Sequence, residues 1–121
     1  MIDHTHYHYQ DIYHKVWLEA QQGAYVSYLR GKRCITDKAF FDEISASFQF
    51  PGYFGENWNA LNDCLSDLGW LKFNKIFIAV DDYSLAFGDD SEGKQLMLKS
   101  FHYMLEYWEQ RNIEVEIWLN N

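Results

Sequence analysis

Asn59, Asn62, Asp63 and Ser66, with Asp67 at their flank, fall on one side of a helical repeat whose other side carries Trp58, Leu61, Leu65 and Leu68. The apolar four recur at steps of three, four and three, which is the spacing of a stripe that faces a core. The polar set has little to gain from burial, and its chemistry is recognition: short amides and carboxylates on a rigid helix, offered to another molecule. Other chemistry-bearing groups are weaker candidates. Asp81-Asp82, at the end of an apolar run, has the residue types for cation binding or general acid and base work, but a solvated loop is the favoured reading. His4, His6 and His8 alternate with Thr and Tyr as metal ligands can, yet no nearby Cys or His closes the set, so a polar strand or tail is favoured. Cys64 and His102 sit on separate helical segments in no nucleophilic arrangement, and Cys64 is expected to pack as a small hydrophobe.

The elements that must position the polar set are legible on either side of it. Over Asp11–Gln22, Tyr13, Val16, Trp17 and Ala20 fall on one helical face, and Gly23 supplies a stop. Ala24–Leu29 reads as a strand closed by Arg30-Gly31-Lys32. Thr36 is placed to cap a helix with a Phe40, Phe41, Ile44, Phe48 stripe, Asp37 lies near its positive end, and Pro51 terminates it. The turn Pro51-Gly52-Tyr53-Phe54-Gly55 then launches the polar-faced helix, with Asn57 as cap, Phe54 buried, Tyr53 displayed and Gly55 supplying a positive φ. Ile76–Val80 is apolar throughout, as a central strand should be. After an acidic loop, Met97, Phe101, Met104, Leu105 and Trp108 mark a last helix that Asn112 ends in a left-handed conformation. Ile113, Val115, Ile117 and Leu119 alternate with Glu114, Glu116 and Trp118 as an edge strand with one buried face. Strand, helix, helix, strand, helix, strand requires parallel pairing through right-handed crossovers. The expected fold class is therefore α/β, a small sandwich of helices packed on a parallel sheet.

A chain of 121 residues suits one domain with a core of its own. Apolar residues make up 48% and aromatics 19%, which excludes a disordered chain, while the mean hydropathy of -0.41 shows that much of this is Tyr and Trp. Such side chains leave amphipathic surface suited to protein contacts. A net charge of -8 and a pI near 4.9 argue against nucleic acid and anionic membranes, both of which demand basic side chains, and favour a basic protein partner. Two cysteines, Cys34 and Cys64, with no leader-like segment, point to a cytoplasmic chain with reduced thiols. No apolar run approaches the ~20 residues that span a bilayer.

Phe50-Pro51, Tyr53-Phe54-Gly55-Glu56-Asn57, Ala60-Leu61, Asp63-Cys64-Leu65 and Gly69-Trp70 closely resemble the signature of the barstar family of ribonuclease inhibitors. The resemblance is strongest over this stretch, and the element order from Ala24 to Leu119 is similar too. It implies a two-layer sandwich with a three-stranded parallel sheet in order 1-2-3 over residues 24–121, preceded by an N-terminal extension of tail and short helix over residues 1–23. The resemblance also implies that the turn and the polar helix face plug the active site of a small ribonuclease, with Tyr53 as a contact aromatic, Asp63 as the principal acidic anchor and Gly69-Trp70 as the far rim. It also implies a second acidic contact on the last helix, at Glu106, for which Tyr107 fits nearly as well. A separate physical argument supports Asp63, because a ribonuclease holds phosphate with Arg, Lys or His and a rigidly held carboxylate can take the phosphate's place. Two positions depart from the pattern: Asn59 stands where the family commonly carries a carboxylate, and Asn62 where an aromatic is usual.

The reading that follows is a cytoplasmic, non-enzymatic inhibitor without cofactor or metal, monomeric when free. It binds a basic ribonuclease or related nuclease toxin through Tyr53, Asn59, Asn62, Asp63, Asp67, Trp70 and Glu106. The alternatives are a small acidic metal-dependent hydrolase using Asp81, Asp82 and the histidines, and an adaptor that binds another protein through the same face.

Overall fold

The computed structural model describes residues 2–5 and 9–120. Strand β1 is Ile2–Thr5, helix α1 Tyr9–Gln21, strand β2 Tyr25–Arg30, helix α2 Asp37–Phe48 and helix α3 Trp58–Leu65. Strand β3, Lys75–Asp81, helix α4, Ser91–Glu109, and strand β4, Glu114–Asn120, complete the chain, with short 3-10 turns at Gly31–Arg33 and Tyr83–Leu85. β2, β3 and β4 lie side by side in that order and all pair in parallel, Tyr25 opposite Ile76 and Ile76 opposite Val115. This is the α/β arrangement expected from the alternation of elements.

The sheet carries one strand more than the sequence suggested. Residues 2–5 add β1 alongside β4, Ile2 opposite Ile117 and Thr5 opposite Asn120, so the full order is β1-β4-β3-β2. β4 is therefore an interior strand and not the edge that its alternation implied. Alternating polarity reports which faces are covered, not whether a neighbour lies alongside, and a four-residue strand is too short to announce itself.

Alternation along β3 divides the core. Ile76, Ile78 and Val80 face the layer of α2, α3 and α4 with Leu29, Phe40, Phe48, Leu61, Leu65, Phe101 and Met104. Phe77 and Ala79 face the other way, against Ile12 and the partly buried Val16, Val26 and Trp118. α1 thus adds a layer on the second face of the sheet, and it does so in an orientation the sequence did not give. Tyr13, Trp17 and Ala20 point outward, while Ile12, Val16 and Glu19 point in. Polar partners on the sheet explain the rotation. The buried Glu19 carboxylate meets Lys15 at 2.7 Å and Lys75 at 3.1 Å, and Lys75 also reaches Glu116 at 2.9 Å. An ion set held this way makes burial of a Glu tolerable, whereas Trp17 retains amphipathic contact with solvent.

The helix caps are local and agree with the sequence. Thr36 accepts from the Ala39 amide and Asn57 from the Ala60 amide at 2.8 Å, while Asn112 is left-handed with φ 62°. α2 ends on left-handed Gln49, just ahead of Pro51.

Candidate functional site

The turn ahead of α3 is set by its aromatics. Phe54 packs between Phe50 and Phe41, ring centres 5.0 and 5.9 Å away, and its amide closes on the Pro51 carbonyl. Tyr53 is thereby turned outward, 68% exposed. Gly55 is not the left-handed residue of this turn; Glu56 is, with φ 51°. A side chain at Gly55 would instead crowd the Asn57 amide, whose nitrogen donates to the Gly55 carbonyl. Close approach, not positive φ, is what favours glycine there.

α3 is anchored along its inner side. Leu61 and Leu65 are fully buried, Cys64 nearly so, and Trp58 packs on Phe40 and Phe41. The Trp108 indole from α4 donates to the Leu65 carbonyl at 2.8 Å, tying down the C-terminal end. The helix is shorter than its apolar repeat suggested. Ser66 returns its hydroxyl to the Asn62 and Asp63 carbonyls, at 2.9 and 3.2 Å, and so competes for the bonds that would extend the helix. Leu68 lies beyond the end with φ 53°, and its side chain folds back into the core. A residue can thus occupy the stripe without belonging to the helix.

Asn59 and Asp63 are exposed one turn apart on the outer side of α3. No described residue donates a hydrogen bond to the Asp63 carboxylate, while its carbonyl serves Ser66. Asn62 is only half-displayed, and its amide oxygen is buried without a hydrogen-bond partner among the described residues. Asp67 joins the two ends of the motif: one oxygen accepts from the Tyr53 hydroxyl at 3.3 Å and the other from the Gly69 amide at 3.2 Å. Desolvation and the Asp67 charge raise the pKa of the Tyr53 phenol, so it stays a donor. Trp70 is half-buried, with its ring edge-on to Phe50 and its indole nitrogen bonded to the Phe48 carbonyl at 2.8 Å. Glu106 is exposed on α4, and no hydrogen bond or ion pair joins it to the α3 residues. The neighbouring Tyr107 is stacked under the Arg111 guanidinium, 3.6 Å from its ring centre.

The structure therefore joins Tyr53, Asp67 and Gly69 through one carboxylate, sets Trp70 against Phe48 and Phe50, puts Asn59 and Asp63 on one exposed stripe and half-buries Asn62, with no hydrogen bond or ion pair from Glu106 to any of them. The Tyr53–Asp67 clasp spans 14 residues and carries no local signal in the sequence.

The competing chemistry finds less support. Asp81 is buried and accepts from the Tyr28 hydroxyl, the Asn120 amide at 2.9 Å and the Asp82 amide at 3.0 Å, so its oxygens tie together the ends of β2, β3 and β4. Burial and the Asp81 carboxylate push Tyr28 far above the usual phenol range, which keeps its proton on that bond. Burial raises the Cys64 thiol, assisted by Asp63 and Asp67, and drives Cys34 up to about 12; both disfavour a nucleophilic thiolate. Among the described residues no three His, Cys, Asp or Glu side chains converge on a metal position, and His6 and His8 lie outside the described residues. No described helix is long and apolar enough to cross a membrane.

Comparison with family models matches residues 24–120 to one described as Barstar (barnase inhibitor). No curated protein matches the chain.

Proposed function

The chain belongs to the barstar family, and on that premise we propose that it is a protein inhibitor that occludes the active site of a basic ribonuclease or related nuclease toxin. The observation that carries the reading is the Asp63 carboxylate, exposed and without a donor among the described residues, on a helix whose opposite side is locked into the core. A carboxylate so held meets the Arg, Lys or His groups of a phosphate site with little loss of conformational freedom. Tyr53 in the turn before α3 and Trp70 after it supply amphipathic rings, and Asn59 adds an uncharged donor and acceptor on the same stripe. Asn62 and Glu106 take outer positions in this interface. The protein acts by covering, with no reaction of its own and no cofactor, inside the cell that makes the nuclease, in the manner of an antitoxin or immunity protein.

Asn59 and Asn62 tune the partner. Where the family commonly offers a charge and a ring, this chain offers two amides, so the nuclease it fits does not need a cation opposite Asn59 itself. The test is a ribonuclease assay with purified chain in stoichiometric excess over a panel of small basic ribonucleases, including any nuclease encoded beside its gene. Loss of cleavage by one member is the expected result; undiminished cleavage by all of them sinks the reading.

A further inference from the structure

An open hollow of about 320 Å³ lies just before the exposed stripe of α3, with Phe41 and Trp58 as its apolar wall and Asp37, Lys38, Glu56 and Asn57 around it. A second hollow of about 180 Å³ shares Asp37 and is lined by Asp90 and Glu92 at the start of α4. We propose that the Trp58 hollow receives an arginine or lysine side chain of the protein bound at α3; the identity of that protein as a nuclease rests on the reading above.

The electrostatics decide the sign of the occupant. Three helices begin here, since α2 and α3 start at the first hollow and α4 at the second, and each N-terminus contributes roughly half a positive charge. Lys38 adds one more. Against these stand the carboxylates of Asp37, Asp42, Glu56, Asp90 and Glu92, so the region remains negative by about two to three charges. Lys38 occupies part of that field, 3.2 Å from Glu56 and 3.3 Å from Asp42, but it is 72% exposed at the side chain and its pairs are of the weak surface kind that an incoming cation exchanges readily. Asp37 also accepts from the Trp58 indole at 3.4 Å, which holds the ring as a fixed wall beside the carboxylates. An aromatic wall next to acidic groups is the arrangement that attracts a guanidinium or ammonium. Asn57 and Trp58 line the hollow immediately before Asn59, so Asp37 and Glu56 offer a cation of the partner an acidic contact close in sequence to the position where the family commonly has a carboxylate and this chain has none.

The test uses the full chain and a probe that requires no knowledge of the nuclease. Acetyl-Gly-Arg-Gly-amide, and its citrulline counterpart with the same shape and no charge, are titrated against the Trp58 indole resonance by NMR. The arginine peptide is expected to shift that resonance saturably, with the citrulline peptide at least about tenfold weaker. Asp37→Asn with Glu56→Gln should abolish the difference, and Lys38→Ala should lower the half-saturation concentration ~2- to 5-fold by removing the competing cation. Glu56→Gln alone provides the same test should the double variant be unstable. Equal shifts from both peptides, or arginine binding unchanged in the carboxamide variants, overturn the proposal. Saturable arginine binding by a chain that inhibits no ribonuclease keeps the hollow and discards the nuclease identity, so the two readings fail separately.

Discussion

The hydroxyl of Tyr53 donates to Asp67 at 3.3 Å, and the same carboxylate accepts from the Gly69 amide, so a single side chain closes the turn before α3 onto the turn after it. The bond fixes the spacing of the two turns, while Asp63, on the helix between them, has no donor among the described residues. Rigid flanks around an unpaired anchor reduce the ordering cost of binding.

Asp63→Ala should therefore weaken binding to the cognate ribonuclease by at least about 2 kcal/mol, in the range of a central interface anchor, and leave folding stability within about 0.5 kcal/mol. Calorimetric titration paired with denaturant unfolding checks both halves. An unchanged dissociation constant removes Asp63 from the interface.

Asp67→Ala acts more gently and can be read without a partner. It frees Tyr53 and removes one of the influences that raise its phenol pKa, so an ultraviolet pH titration should show one tyrosine titrating at lower pH than in the parent. Binding should weaken by ~1 kcal/mol as the Tyr53 rim loosens. A superimposable titration curve would show that the clasp does not persist in solution.

Tyr28 governs alkaline stability. Its pKa is raised in the folded state by burial and by Asp81, so its contribution is fully present below the ordinary phenol value near 10 and declines as the pH rises above it. Tyr28→Phe strips buried Asp81 of a donor and should cost ~1–3 kcal/mol at neutral pH while flattening the loss of stability above pH ~10. Urea unfolding at pH 7 and pH 11 provides the comparison; parallel losses in both proteins would clear Tyr28 of the role.

Removing residues 1–23 uncovers Phe77, Ala79 and Trp118 and opens the β4 edge. The shortened chain should unfold at lower temperature, bind a hydrophobic dye and associate through its bare edge, yet retain affinity for the ribonuclease because α3 lies in the other layer. Loss of affinity in a folded truncation would place the extension in the interface.

With a charge of -8, association with a basic ribonuclease should slow as salt rises past the range in which the Debye length falls to ~10 Å, with little change in dissociation. Stopped-flow rates at two ionic strengths measure this, and a flat on-rate would rule out steering.

Much of the site was readable along the chain because helix periodicity and caps are local. The Trp58, Leu61, Leu65 spacing gave the buried side of α3, Asn57 and Thr36 gave its start and that of α2, and the motif gave the family that the match over 24–120 bears out. Reading failed where a local pattern had two outcomes. Leu68 fits a helical stripe equally well from a left-handed turn, and Gly55 at a tight turn was assigned the dihedral that Glu56 adopts. For α1, aromatic residues outweighed Ile12 and Glu19 in judging the buried face, because the lysines that make Glu19 burial tolerable lie partly on another strand.

The sequence by itself determined the order and type of the elements from the first helix onward, the parallel sheet they require and the polar side of α3 that carries Asn59 and Asp63, since all of these follow from spacings of a few residues. Only the tertiary structure decided that residues 2–5 complete the sheet, that Asn62 is withdrawn while Asn59 is displayed, and that Tyr53 meets Asp67 across 14 positions. It also gathered Asp37, Glu56 and Trp58 around one hollow from two segments of the chain. These relationships depend on how packed layers bring distant segments into contact, and no local periodicity carries that information.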